Sequence, residues 1–314
     1  MAYSFEEKIG IFPFHEIGVK DRILEKLHSL VDIVAFSSLI LAFTGGFGIY
    51  ASCYIEGVPW FPALGVIMTL VSFSVYNLNR KTDEQEDEIN HKKRYLFTKK
   101  FEKYLFYGAL LAYAAALLIS GLYGVIAVLV TCIPLISGIF YSEPILPARC
   151  GYRRLKEIPV IKNILVAGAW AATITLLPVS FSSLVPTMGT LITGVFFFSC
   201  VFIGSVLPDI RDLEGDIASG ITTVPVLIGI PKTTVLLSLM ASVTFGIIFI
   251  SGVGHYSPGS VLLLCLGIFY MLFCILSMER LVNKNIICDI LGDCVFIILG
   301  IVTFILIASG MYGY

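Results

Sequence analysis

The stretch FFSCVFIGSVLPDIRDLEGD, residues 197–216, passes from apolar to acidic within a few positions. Its first part belongs to an apolar run over 188–207, about the twenty residues a helix needs to cross a bilayer. Its last part sets Asp209, Asp212 and Asp216 at i, i+3 and i+7, which is one face of a helix carried past the membrane boundary. A second junction of the same kind is SFSVYNLNRKTDEQED, residues 72–87. There Asn79, Asp83 and Asp87 fall at i, i+4 and i+8, one column if the helix continues. The offset from Asp83 to Asp212 equals that from Asp87 to Asp216, as an internal duplication would produce.

The rest of the chain has the composition of a membrane bundle. Of its 314 residues 57% are hydrophobic and 14% charged, whereas a soluble domain carries about a quarter charged residues. Apolar runs near 30–50, 60–78, 103–120, 123–140, 160–180, 188–207, 233–252, 260–278 and 289–310 give nine candidate transmembrane helices. The 21 Lys and Arg all fall in the N-terminal segment and in the second, fourth, sixth and eighth connections. Such a distribution puts those connections in the cytoplasm, with the N-terminus in and the C-terminus out. Residues 1–29 are mixed-charge and amphipathic, read as a cytoplasmic segment lying at the interface; residues 30–314 form the nine-helix domain. The expected location is the cell membrane, multi-pass, with the acidic face toward the cytoplasm. A net charge of −1 supplies no field for nucleic acid. The eight cysteines make no CxxC pair and mostly lie in apolar runs, which disfavours a zinc or disulfide framework.

Both acidic clusters follow an even-numbered span, so they can face each other across one mouth. Two carboxylates a turn apart repel unless a cation lies between them. Ligand oxygens alone suit a hard ion, and Mg²⁺ takes a few carboxylates together with phosphate oxygens and water. Asp83, Asp87, Asp212 and Asp216 are the candidate metal ligands, with Asp209 as an accessory. A polyanionic ligand bound through metal ions still needs cationic side chains. Lys156 and Lys162 lie in the fourth connection near Tyr141 and Asn163, and Arg80 and Arg211 lie within the clusters. Positive-inside anchoring explains any single one of these cations equally well. Glu84, Glu86 and Glu88 flank the first column and read as solvated.

The two motifs together resemble those of the UbiA superfamily of intramembrane prenyltransferases: Asn-x₃-Asp-x₃-Asp after the second helix and Asp-x₃-Asp after the sixth. Gly220, Thr222, Thr223 and Pro225 are similar to the family's tail to the second motif. Tyr141-Ser142, Leu155-Lys156 and Lys162-Asn163 resemble its connection between helices four and five, and Asp293 opens the last helix in a familiar context. Asn90-His91-Lys92-Lys93-Arg94-Tyr95 lacks the prolines that many members place after the first motif. The resemblance implies a bundle of nine helices around a central cavity, with a cytoplasmic polar cap and an opening to lipid. It also implies Mg²⁺-dependent transfer of a polyprenyl group from its diphosphate to a lipophilic acceptor, an aromatic ring or a glycerol lipid among others. On that resemblance Asn79, Asp83, Asp87, Asp212 and Asp216 hold metal and diphosphate. Ionisation of the allylic C–O bond puts negative charge on the leaving group, which metal and Lys or Arg stabilise. Two other readings share parts of this pattern. A terpene cyclase or diphosphatase would use the same ionisation without an acceptor. An ion-coupled transporter would place its site near the midplane rather than at helix ends on one side.

Overall fold

The computed structural model describes residues 33, 34, 36–82, 84, 88, 92–147, 152–219, 221–252, 254–281 and 285–311, with only the backbone at 218, 219, 252, 279–281 and 285–291. Asp83, Asp87, Gly220, the segment 1–32 and most of 83–91 lie outside the described residues, and with them the readings made on those positions. Among the described residues every regular element is helical. In chain order they are α1 Leu39–Glu56, α2 Pro62–Thr82, α3 Lys92–Lys100, α4 Glu102–Gly121, α5 Val125–Ser142, α6 Ile161–Phe181, α7 Met188–Arg211, α8 Leu213–Ser219, α9 Val224–Ile228, α10 Ile230–Gly252, α11 Pro258–Leu281 and α12 Asn285–Ala308. A 3₁₀ turn, Leu155–Glu157, stands between α5 and α6.

Eight of these helices are long and apolar enough to cross a bilayer: α1, α2, α4, α5, α6, α7, α10 and α11. The described apolar part of α12, Gly292–Ala308, is shorter. The long helices follow the apolar runs with shifts of a few residues. The largest shift is at α1, which begins after Ser38 in the left-handed region (φ 64°) and runs on through Glu56 to Gly57 (φ 65°). A carboxylate in the last turn is tolerated because Ser52 Oγ donates to Glu56 Oε1 at 2.9 Å, and Gly57 then supplies the positive φ that stops the helix.

α6 and α7 are the most buried spans, and α4 shows most of its surface outward. Leu111, Leu118 and Val125 stand fully outward on α4 and α5, as side chains facing lipid tails do. Inside the bundle, α1 packs against α2, α6, α7, α11 and α12, while α7 packs against α6, α10, α11 and α12. Small residues permit that closeness. A Cβ on Gly45 would meet the Ser72 side chain of α2, and one on Gly292 would stand 3.5 Å from the backbone of Gly204 in α7. Buried hydroxyls satisfy themselves within their own helices, as Thr131 does on the Ala127 carbonyl and Thr173 on that of Ala169.

A Cβ on Gly267 of α11 would lie 2.5 and 2.8 Å from two ring carbons of Phe196, which is wholly buried on α7. Gly267→Val should therefore push α11 off α7 and lower stability by about 1–3 kcal/mol. A thermal melt in detergent that leaves the midpoint unchanged would contradict this packing.

Candidate active site

One end of the bundle gathers the polar side chains. α2 ends at Thr82 and α5 ends at Ser142, and the two ends are joined through side chains. Ser142 Oγ donates to Asn79 Oδ1 at 3.2 Å, and Thr82 Oγ1 donates to the Asn79 carbonyl at 2.7 Å. Tyr141 sits beside this junction, half-buried. The chain leaves α5 in a loop that closes on itself, with Leu146 N–H donating to the Arg153 carbonyl at 3.0 Å. It then forms the 3₁₀ turn, which packs between α5 and α6. Glu157 accepts from the backbone N–H of Arg153 and Arg154, at 2.7 and 3.3 Å. Those N–H groups, ahead of the Arg154 and Lys156 charges, hold its carboxyl below the ordinary carboxylate value. Lys156, in the middle of this turn, is buried although it carries a charge.

α6 begins four residues later and places Lys162 and Asn163 against the end of α7. Lys162 Nζ lies 2.7 Å from Asp209 Oδ1, with the side chains 18% and 11% exposed. Asn163 Nδ2 donates to Ser205 Oγ at 2.9 Å, one turn before Asp209. Two acceptors in this corner, Asp209 Oδ2 and Asn163 Oδ1, are buried and have no hydrogen-bond partner. Oxygen atoms left in that condition are costly unless a cation or donor meets them.

The second acidic column is interrupted where a continuous helix was expected. α7 stops at Arg211, Asp212 serves as its C-cap (φ −87°, ψ 6°), and α8 starts at Leu213. Asp212 N–H still donates to the Pro208 carbonyl at 3.0 Å, and Arg211 folds back on its neighbour. Its Nε and one terminal nitrogen reach the two oxygens of Asp212, each at 2.7 Å. The turn nevertheless keeps the column together: Asp216 N–H donates to the Asp212 carbonyl at 2.9 Å, and Ile221 N–H to that of Asp216. Asp216 is buried; burial first, then the charge of Asp209, push its carboxyl up to about 6 against the pull of Lys162.

Arg80 points elsewhere than the Lys162 corner: its guanidinium donates to the Phe36 carbonyl just before α1. Beside it, Lys81, Lys99, Glu84 and Glu102 form an exposed ion-pair network that ties α2 to α3 and α4. The structure thus brings Lys162, Asn163, Asp209, Asp212 and Asp216 into one corner, and joins Asn79 to Ser142 at the neighbouring helix ends. Sequence reasoning missed Thr82 and Ser205, and named Ser142 only beside Tyr141, without its link to Asn79. Each is a lone hydroxyl whose partner lies on another helix, and no local pattern announces it. Among the described residues no three His, Cys, Asp or Glu side chains converge closely enough to hold a metal ion.

The ends of α2, α5 and α7 and the start of α6 thus carry the polar side chains of an otherwise apolar membrane bundle, and the family match gives that bundle its class. The chain belongs to the UbiA prenyltransferase family, which matches residues 33–285. It is 29% identical over 170 residues to a digeranylgeranylglyceryl phosphate synthase of Methanoculleus marisnigri, a match covering 54% of this chain and 57% of that protein. The chain therefore aligns with little more than half the length of this curated relative. Its fold is similar to the apo structure of a UbiA homolog from Aeropyrum pernix (TM-score 0.62, 12% identity, covering 84% of this chain and 97% of that one). It is also similar to a UbiA homolog from Archaeoglobus fulgidus bound to GPP and Mg²⁺ (TM-score 0.60, 16% identity, covering 88% and 96%).

The mostly buried Lys162–Asp209 pair yields a stability test. Lys162→Met leaves a buried carboxylate uncompensated and should cost about 3 kcal/mol or more. The double variant Lys162→Met/Asp209→Leu should recover most of that loss. Thermal midpoints falling additively through the cycle would show that the two side chains are not coupled.

Proposed function

We propose that this chain is a Mg²⁺-dependent prenyltransferase that moves a polyprenyl group from its diphosphate to a glycerol-lipid acceptor within the membrane. The observation that carries the reading is the corner where Lys162, Asn163, Asp209 and Asp216 meet, with buried oxygens on Asp209 and Asn163 left without partners. Family membership supports the reaction class. The synthase relative supports the glycerol-lipid acceptor over an aromatic one. The GPP and Mg²⁺ complex of the Archaeoglobus homolog supports the donor class and the metal.

The donor set fits the metal. Carboxylate and amide oxygens are the ligands Mg²⁺ accepts, and Asp209 Oδ2 and Asn163 Oδ1 are such oxygens, buried and unpartnered. Asp83, Asp87, Asp212 and Asp216 would hold the ion, with Asp209 as accessory. Mg²⁺ supplies neutralisation of the leaving diphosphate. Lys156 and Lys162 add charge to the same oxygens, and being mostly buried they act in a weakened dielectric. Asn79, Tyr141 and Asn163 orient the diphosphate. Arg211 positions Asp212 through its paired hydrogen bonds, and Arg80 fixes the end of α2 against the chain before α1. The prenyl tail passes down between apolar helices, where no water reaches the ionised carbon.

The reading includes nine crossings, with α12 as the last. The polar mouth forms a cap on the cytoplasmic side of the cell membrane, the N-terminus lies inside and the C-terminus outside. Its support is the confinement of all Lys and Arg to one set of connections.

The direct test gives the purified protein labelled geranylgeranyl diphosphate and geranylgeranylglyceryl phosphate. Product should form only with both lipids and Mg²⁺, and EDTA should abolish it. Asp83→Ala and Asp212→Ala should each lose at least about 100-fold in turnover while the protein stays folded. Conversion of the donor at the same rate without acceptor would move the chain to the cyclase or diphosphatase class. Full activity in both variants would remove the metal assignment.

A further inference from the structure

Below the mouth the bundle holds another acid. Asp293 follows Gly292 in α12, and Gly292 meets Gly204 of α7 nearly backbone to backbone. That contact fixes the depth of Asp293. Gly204 precedes Asp209 by five residues, so a rise of about 1.5 Å per residue sets Asp293 roughly 7 Å farther into the membrane than Asp209. From α2, Tyr76 reaches the same region, three residues and roughly 4.5 Å inward of Asn79. Its ring stacks on Trp170 of α6, with centroids 5.8 Å apart and planes 10° from parallel. Asp293 and Arg80 lie close enough to act electrostatically on its hydroxyl, and Asp293 acts likewise on Tyr270.

Tyr76 is half-buried on α2. Asp293 keeps accessible surface as well. Among the described side chains it is the carboxylate lying between the acidic mouth and Glu56 at the opposite end. An ionisable group at such a depth is expensive to keep and marks function.

On the prenyl-transfer reading, on which this inference rests, the diphosphate occupies the level of Asp209. Its allylic carbon then hangs just beneath, between the mouth and the Tyr76–Trp170 pair. The attacking hydroxyl of the acceptor must meet the carbon there and lose its proton there. We infer that Asp293 is the base that takes this proton. The allylic C–O bond breaks and its electrons leave with diphosphate. A lone pair of the acceptor oxygen forms the new C–O bond. The acceptor O–H bond breaks, its electrons stay on oxygen, and the proton passes to the Asp293 carboxylate. Tyr76, stacked on Trp170, is a positioning residue beside the carboxylate.

The test measures turnover and donor affinity separately. In Asp293→Asn, kcat for geranylgeranylglyceryl phosphate should fall at least about 100-fold, the span of a lost general base. The Kd for geranylgeranyl diphosphate, read by calorimetry, should stay within about threefold, which also shows that the variant is folded. A kcat within threefold of wild type would overturn the proposal and leave diphosphate or water to take the proton. Equal loss of donor binding would overturn it by placing Asp293 in the donor site. If the Asn variant does not fold, Asp293→Glu decides: slowed transfer with unchanged donor Kd supports the proposal, and wild-type turnover overturns it. Absence of transfer in the wild-type protein would sink the underlying function instead, a result distinct from all of these.

Discussion

Lys162 and Asp209 meet at 2.7 Å where α6 begins and α7 ends, at the rim of a largely apolar bundle. A carboxylate and an ammonium removed from water are stable only in each other's company, so this pair brings two spans to one level. The neighbouring polar contacts follow from that level. Asn163 reaches Ser205 because Lys162 is already docked, and Asp216 sits over the same corner because the turn at Asp212 carries the chain back. The ends of α2 and α5 are joined to each other through Asn79, Thr82 and Ser142. A bundle whose interior is nearly all apolar thus concentrates its chemistry at one end.

The lipid solvent explains why the arrangement is possible. Helices that gain nothing by hiding leucine from lipid are held by close approach and by satisfied polar groups. Gly204 against Gly292 and Gly45 against Ser72 provide the first, and the mouth provides the second. The two tasks meet on α7. Its glycine sets the spacing to α12, and its last turn delivers Asp209 to the site.

Much of this was legible in the amino-acid order, because a spanning helix demands a long apolar run and the spans, α1 excepted, accordingly lie within a few residues of those runs. The placement of Asp209 and Lys162 at facing helix ends was legible too, since both lie where apolar runs meet charge. Side-chain pairing was not. Helices apolar on every side carry no stripe to say which face meets which neighbour, so Ser142 with Asn79 and Tyr76 with Trp170 had no local signature. The break between α7 and α8 at Asp212 was hidden for a different reason. The i, i+3, i+7 spacing fits an unbroken helix equally well, and the Arg211–Asp212 contact beside the break is a rotameric event. The short helix α3 rests on ion pairs to α2 and α4 instead of on a buried face. Asp293 was noticed by its context, but its depth and its tyrosine neighbours needed the contact between α7 and α12.

The central claim is that two acidic motifs, one after α2 and one after α7, close on a single metal-bound diphosphate. Anomalous scattering from crystals grown with Mn²⁺ and a non-hydrolysable geranylgeranyl diphosphate analogue measures this directly. The account predicts manganese peaks bridged by the analogue, with carboxylates of Asp83 or Asp87 and of Asp212 or Asp216 both within coordination distance. Peaks confined to one motif, with the other facing solvent, would contradict it.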